Sequence, residues 1–171
     1  MKKLLIKLNL KRVAFCIFAI VAVILIIFKT PTAIDGEAIL SFNRDLQNYN
    51  VKLQVIDQKN KTIAEFFVAI ADNDNKKMYG LMNLDSLPKD YGMLFPFFES
   101  HIVTMWMKNT RIPLDMIFID NHNIIVSIKT HATPYSLDII SSEKEAAKAL
   151  EVNAGSVDKL KIKVGQKIRI L

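Results

Sequence analysis

The sequence predicts a mainly-β (β-rich α+β) domain: a small curled or closed barrel-like sheet with short helices, preceded by an N-terminal transmembrane helix. Three observations carry this reading. Short β-branched and aromatic runs follow one another at close spacing, separated by turn residues. Helical patterns between them are few and short, which disfavours a βαβ parallel sheet. And residues 13–28, VAFCIFAIVAVILIIF, form an apolar stretch without a charge.

As a helix, residues 13–28 would span about 24 Å. That is short for a hydrocarbon layer of roughly 30 Å, but Lys11, Arg12 and Lys29 can snorkel at its ends. Positive charge concentrated before the run orients the N-terminus to the cytoplasm and residues 30–171 outside. An uncleaved anchor in the inner or plasma membrane fits better than a cleaved signal peptide. The run is long for a signal core, and no clean A-x-A site follows it. Cys16, the only cysteine, lies inside the run, so the exported part can hold no disulfide, thiolate site or cysteine nucleophile.

The chain has 23 basic and 17 acidic side chains. Lys2, Lys3, Lys7, Lys11, Arg12 and Lys29 fall in residues 1–29, which contain no acid, so residues 30–171 sum to zero. The pI near 9.4 therefore belongs to the leader, and no nucleic-acid partner is expected. The chain divides into an anchor or signal at 1–29, a linker at 30–50 with a short helix at 37–46, and a β domain at 51–171.

Residues 51–57 alternate, with Val51, Leu53 and Val55 on one side. Residues 58–61 are a turn and 63–71 a second strand. Asp72 or Asn73 caps a short helix running through Met82. Pro88, Asp90 and Gly92 then break the chain. Residues 93–97 and 102–107 read as strands, 112–113 as a turn or bulge, and 114–119 as a strand. A hairpin turn at 120–123 leads into a strand at 124–130. Residues 141–149 read as a helix of good formers capped by Ser141 or Ser142. Residues 150–152 are extended, Ser156 caps a short helix ending near Lys161, and Gly165 precedes a last strand at 166–170.

The motifs GLM at 80–82, GMLFPF at 92–97, WMKNTRIPLDMIFID at 106–120, Pro134, LEVNAG at 150–155 and the following VGQKI resemble the domain of unknown function 192 family of bacteria and archaea. The resemblance runs from about Val51 to the C-terminus and rests on the order and spacing of the motifs together. It implies a small β-rich, barrel-like domain behind an N-terminal signal or anchor, and it leaves activity open. Met105 departs from the pattern, which more often has an aromatic before the Trp.

Unlike polar groups gather beside the single Trp. Trp106 and Lys108 share a strand face and could form a stacking and hydrogen-bonding platform. Asn109 and Thr110 offer donors and acceptors at the turn, though both are also simple turn formers. Asp115 shares an apolar face with Ile117 and Ile119, so it needs a partner: Lys108, Arg111, or turn N–H groups at 109–112. The first reading is a non-covalent site for a small ligand or envelope protein lined by Trp106, Lys108, Asn109, Thr110 and Asp115, its backbone shaped by Gly80, Gly92 and Met93. Equally, Asp115 could only pin the turn and Trp106 only fill the core. A second reading is an envelope enzyme with Asp115 and Glu151 as an acid–base pair. A third is a Cu(I) site of His101, Met105 and Met107, alternating on one strand face, against which methionine is a good filler of irregular cores. No Gly-rich phosphate loop, H-E-x-x-H or EF-hand loop is present, so no cofactor is expected.

Overall fold

The computed structural model describes residues 49–171; the expected anchor, and the short helix expected at 37–46, lie outside them. Among the described residues no helix is long and apolar enough to cross a membrane. Seven strands form one mixed sheet: β1 (Val51–Ile56), β2 (Thr62–Ile70), β3 (Tyr91–Met105), β4 (Leu114–Ile119), β5 (Ile125–Ala132), β6 (Ile140–Asn153) and β7 (Lys167–Ile170). Their spatial order is β5-β4-β6-β3-β2-β1-β7. Helix α1 (Asp74–Tyr79) lies between β2 and β3, and α2 (Ser156–Leu160) between β6 and β7.

The sheet curls but is not a closed barrel. Its edge strands β5 and β7 meet near a single bridge, Ile124 to Lys167. Backbone bonds such as Ile168 N–H to Asn123 O at 2.8 Å hold the two ends together there. All strand pairs are antiparallel except β2 with β3, whose parallel pairing is allowed by the α1 crossover. One parallel unit is thus present in a sheet that alternation alone describes as antiparallel.

Apolar layers cover both faces. Leu94, Ile117 and Leu150 belong to one, which includes Phe66 and Val157; Phe95, Phe118 and Ala149 belong to the other, with Met107 and Met116. Strand β4, next to the edge strand β5, is buried at every position, which explains its nearly unbroken apolar sequence.

Two departures from the sequence expectations have clear causes. The strands expected at 93–97 and 102–107 are one long strand, β3, carrying a wide bulge. Pro96 pairs with Lys148, yet the next pair is His101 with Ala146, and Phe98 in the bulge is fully exposed. The helix expected at 141–149 is part of β6. Within 141–149 the buried positions are Ser142, Ala146 and Ala149, a helix-like spacing produced by the bulges. Glu143 takes a left-handed φ of 59°, and Ser142 Oγ accepts the Val103 N–H at 2.9 Å. With β3 pairing along this stretch and β4 joining from Lys148 onward, tertiary pairing overrides the helix propensity of Glu, Lys and Ala.

Elsewhere the helix boundaries shift slightly. Helix α1 is capped by Asn73, which accepts the Lys76 N–H at 3.0 Å, and stops at Gly80, not Met82. Gly155, not Ser156, occupies the cap position of α2 and contributes no side chain.

Candidate functional site

A cavity of about 420 Å³ opens between the α1 segment, β3, β6 and the loop after β3. The volume suits a small organic ligand. Residues Tyr79–Met82, around the end of α1, supply one wall; Phe95, Phe97 and Met105 come from β3, and Ile139 precedes β6. Beyond β3 the chain contributes Trp106, Lys108 and Thr110.

That loop is built by its own backbone. Asn109 takes a φ of 55°, a left-handed conformation that Asn tolerates better than most residues. Its carbonyl accepts the Asn83 N–H at 2.9 Å, and Met107 N–H donates to Ser136 O at 3.0 Å. Met107 is thereby buried while Trp106 remains 47 % exposed at the mouth. Thr110 is buried, and its hydroxyl donates to Lys108 O at 3.3 Å. The ammonium of Lys108 stands 5.1 Å from the Trp106 ring centroid, and that of Lys77 stands 5.4 Å from the Phe97 centroid. Both contacts are cation–π geometry.

Glu151 is the buried acid of this cavity. Its residue is 5 % exposed, and its strand pairs it with Met93 on one side and Met116 on the other. Among the described residues its carboxyl makes no hydrogen bond or ion pair. Burial pushes it from an ordinary 4.5 up to about 8, because a charge in an apolar wall forfeits its hydration. At neutral pH it is therefore mostly a neutral acid, able to donate one hydrogen bond and accept others. Gly80 is beside it: a Cβ there would lie 4.0 Å from Glu151 Oε2 and 3.4 Å from Phe95 Cζ, and the φ of 52° favours glycine.

Asp115 is elsewhere. It is fully buried, and its oxygens accept His131 N–H at 3.0 Å and Val157 N–H at 2.9 Å. Neither Lys108 nor the 109–112 turn supplies its partners, and Arg111 pairs with Asp85 instead. Asp115 thus caps α2 from a different strand and holds His131, whose φ of 55° is unusual for a non-glycine residue. It lies opposite Val152 in the ladder, whereas Glu151 lies opposite Met116. Directly opposed residues share a face and neighbours alternate. The two carboxylates therefore occupy opposite faces of the sheet and cannot form an acid–base pair across one cleft.

Of the residues singled out in the sequence, Trp106, Lys108, Thr110 and Gly80 line the cavity. Asn109 shapes the loop without lining it. Gly92 acts through close approach: a Cβ there would lie 2.5 Å from the carbonyl oxygen of Glu151. Met93 flanks Glu151 in the ladder. The proposed copper ligands are dispersed, because only Met105 lines the cavity, Met107 is core, and His101 Nδ1 lies 2.8 Å from Glu99 O. Among the described residues no group of three or more His, Cys, Asp or Glu side chains could hold a metal ion. Sequence reasoning missed Lys77, Phe95 and Phe97. The alternation of Met93, Phe95 and Phe97 was the available signal for an apolar wall.

A curled mixed sheet with one buried acid in an aromatic cavity defines a β-rich module of a family described as Uncharacterized ACR, DUF192, whose profile matches residues 55–170. The chain belongs to this family, as the motifs at 80–155 imply. It is similar to a crystal structure from Sinorhizobium meliloti 1021 described as that of a candidate transcription regulator. The identity is 37 % and the TM-score 0.67, covering 70 % of this chain and 92 % of that one. A second similar structure, a protein of unknown function from Novosphingobium aromaticivorans DSM 12444, has 28 % identity and a TM-score of 0.65, covering 70 % of this chain and 84 % of the other. No curated protein matches.

Proposed function

We propose that this protein is a membrane-anchored, extracytoplasmic module that binds a small ligand non-covalently in the cavity beside Trp106. Residues 1–29 are the tether, and the N-terminus is cytoplasmic. The carrying observation is Glu151: an acid without a protein partner, buried among aromatic rings in a cavity of ligand size. Leaving such a group unmatched costs stability, and a ligand's polar atoms would supply what the fold omits. Trp106 is the half-exposed aromatic at the mouth, where stacking adds affinity. The Sinorhizobium structure is described as that of a candidate transcription regulator, but binding of nucleic acid is not our reading, because the charge of residues 30–171 sums to zero.

Trp106→Ala and Lys108→Ala test the site. Both residues are exposed, so each variant should melt close to the parent while losing ligands found by screening. A lowered melting temperature with undiminished binding by the folded protein would show that Trp106 is only structural. Protease shaving of intact spheroplasts tests the location; protection of residues 49–171 would contradict an outside domain.

A further inference from the structure

We propose that the cavity takes an amphipathic organic anion, its apolar body among Phe95, Phe97 and Trp106 and its anionic head between Lys77 and Lys108. This rests on the cavity being a ligand site and adds the class of ligand. Among the described residues, neither Lys77 nor Lys108 is in an ion pair, whereas Lys52, Lys76, Lys89, Lys129 and Arg111 are. An unpaired lysine is ordinary on a surface. Two of them, each over an aromatic ring of the same cavity, are less so.

The titratable groups lining the cavity are Glu151, Tyr79, Lys77 and Lys108. A buried Glu151 held neutral places no negative charge behind the two ammonium groups and can still donate a hydrogen bond. A cation would meet two like charges and no counter-charge. A neutral apolar molecule would leave both ammonium groups without a counter-ion. A carboxylate, sulfonate or phosphate monoester on an aromatic or aliphatic body satisfies both parts of the lining. Because the two lysines are partly solvated, the anion should bind about threefold to thirtyfold tighter than its neutral isostere.

The test uses the full-length protein in zwitterionic lipid nanodiscs. Trp106 is the only tryptophan, so its fluorescence reports the mouth directly. The probes are 3-phenylpropionate, 3-phenylpropanol and 3-phenylpropylammonium, with empty nanodiscs correcting for partition into lipid. The acid should bind tightest, and its advantage should shrink as salt is added. In the Lys77→Met, Lys108→Met double variant that advantage should vanish while 3-phenylpropanol still binds; circular dichroism checks its fold, and the salt series on the parent stands without it. Equal binding of acid and alcohol by the parent would overturn the anionic head but leave the ligand site intact. Tightest binding of the ammonium would overturn it too, assigning recognition to an ionised Glu151. If none of the three moves Trp106, the ligand site itself falls.

Discussion

Replacing Glu151 by Gln should stabilise the protein, increasingly so as pH rises. In the folded chain burial carries this carboxyl from 4.5 to about 8. Between those values the unfolded chain has released a proton that the folded chain still holds. Stability therefore falls as pH rises through this window and levels off above about pH 8. One pH unit in that window is worth about 1.4 kcal/mol. The penalty from Glu151 thus grows to about 3 kcal/mol at neutral pH and about 5 kcal/mol above pH 8. Glutamine keeps the shape and the polar tip but cannot ionise. Denaturant melts of parent and Glu151→Gln from acid to mildly alkaline pH give the difference directly. Subtraction cancels Glu65, Asp72 and Glu143, whose carboxyls hydrogen-bonded partners hold below the usual range. The two curves should converge at acid pH and diverge through neutrality, with Gln above. A difference that does not change with pH would mean that water reaches Glu151 freely, and the reasoning from a poorly hydrated acid without a protein partner would fail.

Asp115→Ala should cost about 2–5 kcal/mol, because it strands the buried N–H of Val157 and the part-buried N–H of His131; Asp115→Asn, keeping one acceptor, should cost roughly half, and thermal melts compare them. Gly92→Ala drives a Cβ to 2.5 Å from the Glu151 carbonyl, so a loss of about 1–3 kcal/mol is expected. Normal stability there would show that β3 and β6 can separate easily. Ser142→Ala removes the acceptor for Val103 N–H and should lower stability by about 1–3 kcal/mol. Faster hydrogen exchange at Val103 would locate the effect at the β6 bulge.

Much of the sheet was legible because its strands obey short-range rules. Strand β4 occupies the 114–119 stretch expected of it, and the turn at 120–123 is closed by Asp120, whose carboxylate accepts the His122 and Ile124 N–H groups at 2.9 and 2.8 Å. Where bulges insert residues, period two is lost. On β6 the buried positions at 142, 146 and 149 mimic one face of a helix, and the residues there are good helix formers besides. Only the pairing with β3, joined by β4 from Lys148 onward, decides the matter, and that pairing is long-range. Closure of the sheet was illegible for the same reason: it depends on how far twist brings β5 toward β7, which no local pattern records.

The two carboxylates show how one residue of register separates scaffold from site. In sequence Asp115 and Glu151 are alike, each an acid in a mostly apolar stretch, so each needs a partner. Asp115 stands across from Val152, on the face where the start of α2 and the left-handed turn at His131 present free N–H groups. Those two donors engage both of its oxygens, and the residue is fully buried away from the cavity. Glu151, one position earlier on the partner strand, points to the other face, where Gly80 leaves space and the neighbours are rings and thioethers. No backbone donor reaches it there, and burial favours its neutral form. A one-residue slip of β6 against β4 would turn Glu151 to the face that Asp115 occupies and take the acid out of the cavity. The cap at Asp115 therefore also fixes the register that turns Glu151 toward the cavity, and Asp115→Ala should weaken ligand binding without Asp115 ever touching the ligand.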